Sequence, residues 1–344
     1  MPITARQFAR DRMRPAFTLV ELLVVMGVLA MLSSLVLVGL SSAAEQARIN
    51  RTRSQVQKIH ELLMPRWEEY RYRRVDPAYS SDVSGTITAT SQTAKLRARY
   101  RVDRLRALMR MEMPCHRQDV QLGAAGDVID IGDPTSLITN EPGLWHRYRR
   151  AVANRTSDGT FNDTTGWTKE NDDSECLYLI LESIQNGETN GLDFFKDSEI
   201  GDTDGDGMPE LLDGWGNPIH FLRWAPGYVA PRSNLHRNDA PDPLDPLGVR
   251  GGRLQTSGTG IYDHFPLYPL IMSEGPDGQL DIVLKYDDDL DNQATITGSP
   301  PNNPYYDNGT GSFLGTEFDS NSNSVDEFFD NITNHQLVIA GNSQ

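Results

Sequence analysis

Cysteine is nearly absent: the 344 residues hold two, Cys115 and Cys176. Two thiols exclude a disulfide framework, and neither lies in a CxxC pair or near a histidine cluster, so no zinc site is expected. They could pair outside the cytoplasm or stay as separately buried thiols; spacing alone does not choose. The seven histidines, His116, His146, His220 and His264 among them, form no HExxH or triad-like pattern. No G-x-S-x-G, P-loop or dinucleotide fingerprint occurs, so catalysis is not expected. Positive charge is also short, with 32 Lys and Arg against 48 Asp and Glu for a net −16. A chain so acidic repels phosphate, and nucleic acid is not an expected partner.

Long apolar runs are missing too, with one exception. Residues 22–40, within "RPAFTLVELLVVMGVLAMLSSLVLVGL", are apolar or small, about the length a helix needs to cross a bilayer. Arg6, Arg10, Arg12 and Arg14 precede the run with only Asp11 opposing, which puts the N-terminus in the cytoplasm and the rest outside. A cleavable signal would end in a small-x-small site after a shorter core. Here the apolar segment instead continues into "SSAAEQARINRTRSQVQKIHELL", where Ile49, Val56, Ile59 and Leu63 recur as one helix face. One helix is predicted to run through both segments and stop near Met64, where Pro65 interrupts it. Glu21 stands just inside the apolar run, where a carboxylate costs about 2.5–3.5 kcal/mol unless it is partnered or protonated.

Residues 14–40 resemble the N-termini of type IV prepilins and type II secretion pseudopilins. The resemblance implies a leader of residues 1–16, cut between Ala16 and Phe17 by a prepilin peptidase, and N-methylation of Phe17. It also implies that Glu21 meets the new amine of Phe17 on a neighbouring subunit and so sets the filament register. Ala16 stands where the family usually has Gly, and the span lacks the family's frequent proline; Gly27, Gly39 and the Ser33–Ser34 pair are its soft points.

Behind the helix the charge divides. Residues 48–110 carry 15 basic and 6 acidic side chains, residues 111–344 carry 13 and 39. Residues 95–111 place Ala98, Val102, Leu105 and Met109 at helical spacing among arginines. The expected role is a solvated cationic face that packs on the long helix or meets a neighbouring acidic body, with DNA or acidic lipid as the alternative. Residues 75–94 read as a surface loop or short hairpin.

The sharpest motif in the acidic part is "DTDGDGMPELLD", residues 202–213. Asp202, Asp204, Asp206, the Met208 carbonyl, Glu210 (through water) and Asp213 fall at the positions by which a twelve-residue loop wraps calcium. Asp rather than Glu at the last position and Pro209 depart from helix-flanked loops; a solvated acidic turn is the alternative. "DGWGNPIHFLRW" then reads as a turn and a strand, "YPLIMSEGPDGQLDIVL" as strand, turn, strand, and "DEFFDNITNHQLVIAG" as an acidic loop and a short strand. In that order these segments resemble the C-terminal sheet of the major type II secretion pseudopilin, whose acidic loop holds structural calcium. Carried over by motif, Asp277 and Asp330 are candidate ligands of a second site. Insertions at 228–260 and 286–324 make this body larger than that family's.

The expected fold is α+β: a long N-terminal hydrophobic helix packed on a C-terminal antiparallel sheet with long loops. Its expected divisions are a leader (1–16), a membrane part of the helix (17–44), a soluble part (45–74) and an acidic extracytoplasmic body (75–344). The resemblance implies a single-pass inner-membrane subunit of a type II secretion pseudopilus. Prepilin peptidase, other pilin-like subunits and an inner-membrane assembly platform are its implied partners, and Ca2+ its structural ion. A type IV pilin for adhesion, motility or DNA uptake, and a membrane-anchored calcium-binding domain or enzyme, are the alternatives.

Overall fold

The longest element follows from the front of the sequence. The computed structural model describes residues 18–75, 91–121, 141–156, 166–187, 189–225, 227–229, 232–236, 242–246, 267–280, 282, 284, 314–316 and 330–337, and its helix α1 runs Leu19–Glu69. The chain divides into two units, Met1–Ala47 and Arg48–Gln344.

In the first unit the described residues belong almost wholly to α1. From Leu19 to Leu40 its large apolar side chains are all exposed, whereas among the described residues of the second unit the exposed large hydrophobics are Tyr72 and Phe194. A helix apolar on every side has no core of its own and needs lipid or other helices around it. Among the described residues it is the one helix long and apolar enough to cross a membrane. Ser34 and Ser41 donate to the carbonyls of Met31 and Val38, 2.8 Å each, so their hydroxyls are satisfied within the apolar segment.

In the second unit α1 becomes one-sided. Val56, Ile59 and Leu63 are fully buried and Ile49 packs at their edge, as the spacing predicts. The expected stop at Pro65 does not occur; the helix passes the proline and ends at Glu69. Proline within a helix costs about 3 kcal/mol through a lost bond and a crowded carbonyl. Trp67 and Tyr70, each 1% exposed, lie just beyond it, and burying two such rings offsets that cost at on the order of 2–3 kcal/mol each.

Helix α2 spans Ser91–Glu112. Residues 91–94, expected in a loop, therefore begin a helix, and residues 76–90 lie outside the described residues. Val102, Leu105 and Met109 are buried as predicted, with Ala98 half-buried. Its cationic face is not wholly solvated: Arg104 and Arg106 are buried, and Arg106 pairs with Asp242 at 3.1 Å. Short α3 (Arg117–Gln121) and α4 (Gly143–Arg155) follow.

Helix α5, Asp172–Ser183, has no counterpart among the elements expected from sequence and is central. Every residue from Asp172 to Leu181 is buried. Leu177, Ile180 and Leu181 join the main core with α1 and α2, while Cys176 and Leu179 join a second cluster with Tyr148, Val152, Trp167 and Met208. A helix enclosed on all sides carries no amphipathic stripe, so periodicity gives little sign of it.

The strands are short. β1 (Gln185–Asn186) pairs with β2 (Thr189–Asn190), and β3 (Ile200–Gly201) pairs with β4 (Glu210–Leu211), both antiparallel. β5 (His220–Leu222), β6 (Leu270–Ser273) and β7 (Ile332–Thr333) form an antiparallel sheet in the order β5-β6-β7. Phe221, Ile271 and Ile332 share the main core with the soluble part of α1, which gives the expected α+β arrangement. The final segment yields β7 and then a short helix, α6 (Asn334–Leu337).

Candidate functional site

Residues 202–209 form the tip of the β3–β4 hairpin, with Gly201 opposite Glu210. The tip folds onto its own carboxylates. Asp202 accepts from the amides of Gly205 (2.8 Å) and Gly207 (3.1 Å), and Asp206 accepts from that of Met208 (2.8 Å). Gly207, at φ +96°, is the position that requires glycine: a Cβ there would lie 2.9 Å from the Arg155 carbonyl oxygen. The Met208 side chain is buried in the second cluster and anchors the tip. As a result, one oxygen each from Asp202, Asp204 and Asp206 lie within 4.8 Å of one another.

A second group shares Asp204. Oxygens of Asp204, Glu210 and Glu175 also lie within 4.8 Å of one another. Glu210 and Glu175 are both fully buried. Glu210 accepts from the Thr203 amide (2.9 Å) and hydroxyl (3.1 Å); burial, with the charges of Asp204 and Asp202, raises its pKa to about 7. Glu175, in the first turn of α5, accepts from the Trp167 indole N–H through Oε2, and its Oε1 has no hydrogen-bond partner among the described residues. Burial and the charges of Asp206, Asp204 and Glu210 raise its pKa to about 11 against that one bond. Thr168 adds two donors from outside the hairpin, its hydroxyl to Asp204 (2.7 Å) and its amide to Asp206 (2.6 Å). An all-carboxylate set suits a hard cation and not zinc or copper.

Asp213 takes no part in either group. Past β4, its Oδ1 accepts from the amides of Trp215, Gly216 and Asn217 at 2.8–3.0 Å, and its Oδ2 from the Ser273 hydroxyl at 2.6 Å. It organises the tryptophan turn because the chain returns to strand at Glu210, before a twelve-residue loop could close. Asp277 is exposed on the turn after β6 and accepts from the Gln279 amide at 3.0 Å. The Asp330 carbonyl oxygen lies 2.6 Å from where a Gly275 Cβ would stand. Among the described residues no trio of potential metal ligands includes Asp277 or Asp330.

At the other end, Glu21 is engaged in starting α1. Its carboxylate accepts from the Thr18 amide (3.0 Å) and hydroxyl (2.9 Å), while its own amide donates to the Thr18 hydroxyl at 3.2 Å. That reciprocal pattern is a capping box, which satisfies amides that a helix start otherwise leaves open. Ala16 and Phe17 lie outside the described residues. The apolar helix, its acidic cap and the residues before it match one family model, the prokaryotic N-terminal methylation motif, over residues 11–37. This chain carries the methylation motif. No curated protein and no solved structure matches it. The motif supports a pilin-like precursor, processed by prepilin peptidase and assembling with pilin-like subunits, and its apolar helix suggests membrane anchoring.

Among the functional residues, sequence reasoning missed Glu175 and Thr168. Glu175 lies 29 residues before Asp204 and Thr168 lies 36 before it, and no local spacing announces them. The one available signal was an acidic residue at the head of an otherwise apolar run, "DDSECLYLIL".

Proposed function

We propose that this protein is a structural, non-catalytic pseudopilin of a type II secretion pseudopilus. The observation that carries the reading is the methylation motif joined to a capped, all-round apolar helix. Prepilin peptidase cuts between Ala16 and Phe17 and the new N-terminus is methylated. The span then sits in the inner membrane with the acidic body outside, until helices pack against one another in a filament driven by the assembly platform. Glu21, already bonded to Thr18, has oxygens with lone pairs left to receive the cationic amine of a neighbour's Phe17. The Trp-Gly-Asn-Pro turn leading into a three-stranded antiparallel sheet supports the secretion reading over a type IV pilin. So do the cysteines, which are both free and buried and close no disulfide loop. Calcium held by Asp202, Asp204, Asp206 and Glu210 rigidifies the body in this reading.

Mass spectrometry of the protein from its native membrane should find an N-methylated Phe17 at the new terminus, and an uncut leader overturns the proposal. Glu21→Ala should leave the precursor processed but abolish filament assembly. For the ion, adding chelator should lower the melting temperature of the parent and leave an Asp204→Ala/Asp206→Ala variant unmoved; an unchanged parent removes calcium from the proposal.

A further inference from the structure

We infer that the cation site is completed by Glu175, so that one hard divalent cation of calcium's size ties the hairpin tip to the first turn of α5. This rests on the calcium reading of the loop and changes its ligand set. Glu175 is 0% exposed, its Oε1 has no hydrogen-bond partner among the described residues, and one of its carboxylate oxygens lies within 4.8 Å of oxygens of Asp204 and Glu210. A buried carboxylate oxygen without a donor is costly, and three carboxylates gathered within 4.8 Å make it more so. Oxygens no farther apart than this can share one ion: at metal–oxygen distances of about 2.4 Å, a calcium ion reaches oxygens up to about 4.8 Å apart. Asp204 belongs to both acidic groups and links them, the set running from exposed Asp202 through half-buried Asp204 and Asp206 to fully buried Glu175 and Glu210. Trp167 fixes the ligand by donating to its other oxygen, and the neighbouring Thr168 hydroxyl orients Asp204. Asp213, both of whose oxygens hold the tryptophan turn and Ser273, is not a ligand.

The consequence is mechanical. A loop that wraps an ion alone stiffens only itself, whereas an ion that also binds α5 locks the hairpin to the helix joining the two cores.

The test uses the full chain in detergent. Calcium affinity is measured by displacement of terbium, whose emission is sensitised by exciting tryptophan, with melting temperatures recorded in calcium and in chelator. Glu175→Gln keeps an acceptor for Trp167 and should weaken calcium binding about tenfold or more, as should Asp204→Asn. Asp213→Asn should lower the metal-free melting temperature while leaving calcium affinity within about twofold. Trp167→Phe should remove most of the sensitised emission, because this indole bonds directly to the ligand Glu175. If Glu175→Gln binds as the parent does while Asp204→Asn does not, the loop acts alone and the inference falls while the calcium reading stands. Undiminished emission in Trp167→Phe also overturns it, by placing the ion elsewhere. A parent that binds neither ion sinks both.

Discussion

Carboxylates in this protein are answered in different ways, and the difference lies in what faces each one. Glu21 meets Thr18 of its own first turn, a local solution that the Thr-x-x-Glu spacing makes legible. Asp119 is buried between Arg223 (2.8 Å) and Arg110 (2.9 Å), and although burial opposes ionisation, these cations hold its pKa well below the usual carboxylate range. Asp173 instead faces His220 Nδ1 at 2.9 Å and the Phe221 amide at 3.0 Å. Burial alone would lower the His220 pKa, but Asp173, with Glu274 on the other nitrogen, raises it to about 10. The unfolded value is about 6.5. The folded state therefore binds the extra proton between those limits: the stabilisation is complete below pH about 6.5 and is lost as pH rises toward 10. His220→Gln should remove a slope of at most about 1.4 kcal/mol per pH unit from stability in that window, read by denaturant titration at several pH values. Equal slopes for parent and variant would count against the ion pair.

Among the elements, those with a local periodic signal were readable and those defined by enclosure were not. The soluble face of α1 and the apolar face of α2 follow from spacing at threes and fours, because each has one side in the core and one in water. Helix α5 has neither, and its all-buried surface hid both its position and Glu175. The helix stop at Pro65 was a sound local expectation defeated by packing, since Trp67 and Tyr70 hold the following turn in the core. If that account is right, Trp67→Ala should cost about 3–5 kcal/mol in denaturant unfolding. Pro65→Ala should cost nothing or stabilise by up to about 3 kcal/mol. A destabilising Pro65→Ala would mean that the proline itself shapes the turn.

Over the whole molecule, the charge division in the sequence is resolved inside the second unit. The basic stretch meets the acidic part of its own chain: Arg106 with Asp242, Arg110 with Asp119, Arg73 with Glu112 at 2.7 Å. Arg106 and Asp242 are 1% and 0% exposed, so Arg106→Leu should cost about 3–5 kcal/mol by leaving Asp242 buried without this cation. Arg106→Leu with Asp242→Asn should recover much of that loss, and no recovery would show that the pair is not the source. The sequence by itself determined the methylation motif, the membrane-length helix and the aspartates at the hairpin tip, because each depends on residues a few positions apart. Only the tertiary structure decided that both thiols stay free, that Asp213 serves a turn, that Arg104 and Arg106 turn inward and that Glu175 lies beside the tip. Those outcomes depend on which distant segments share a core, and burial, not spacing, selects them.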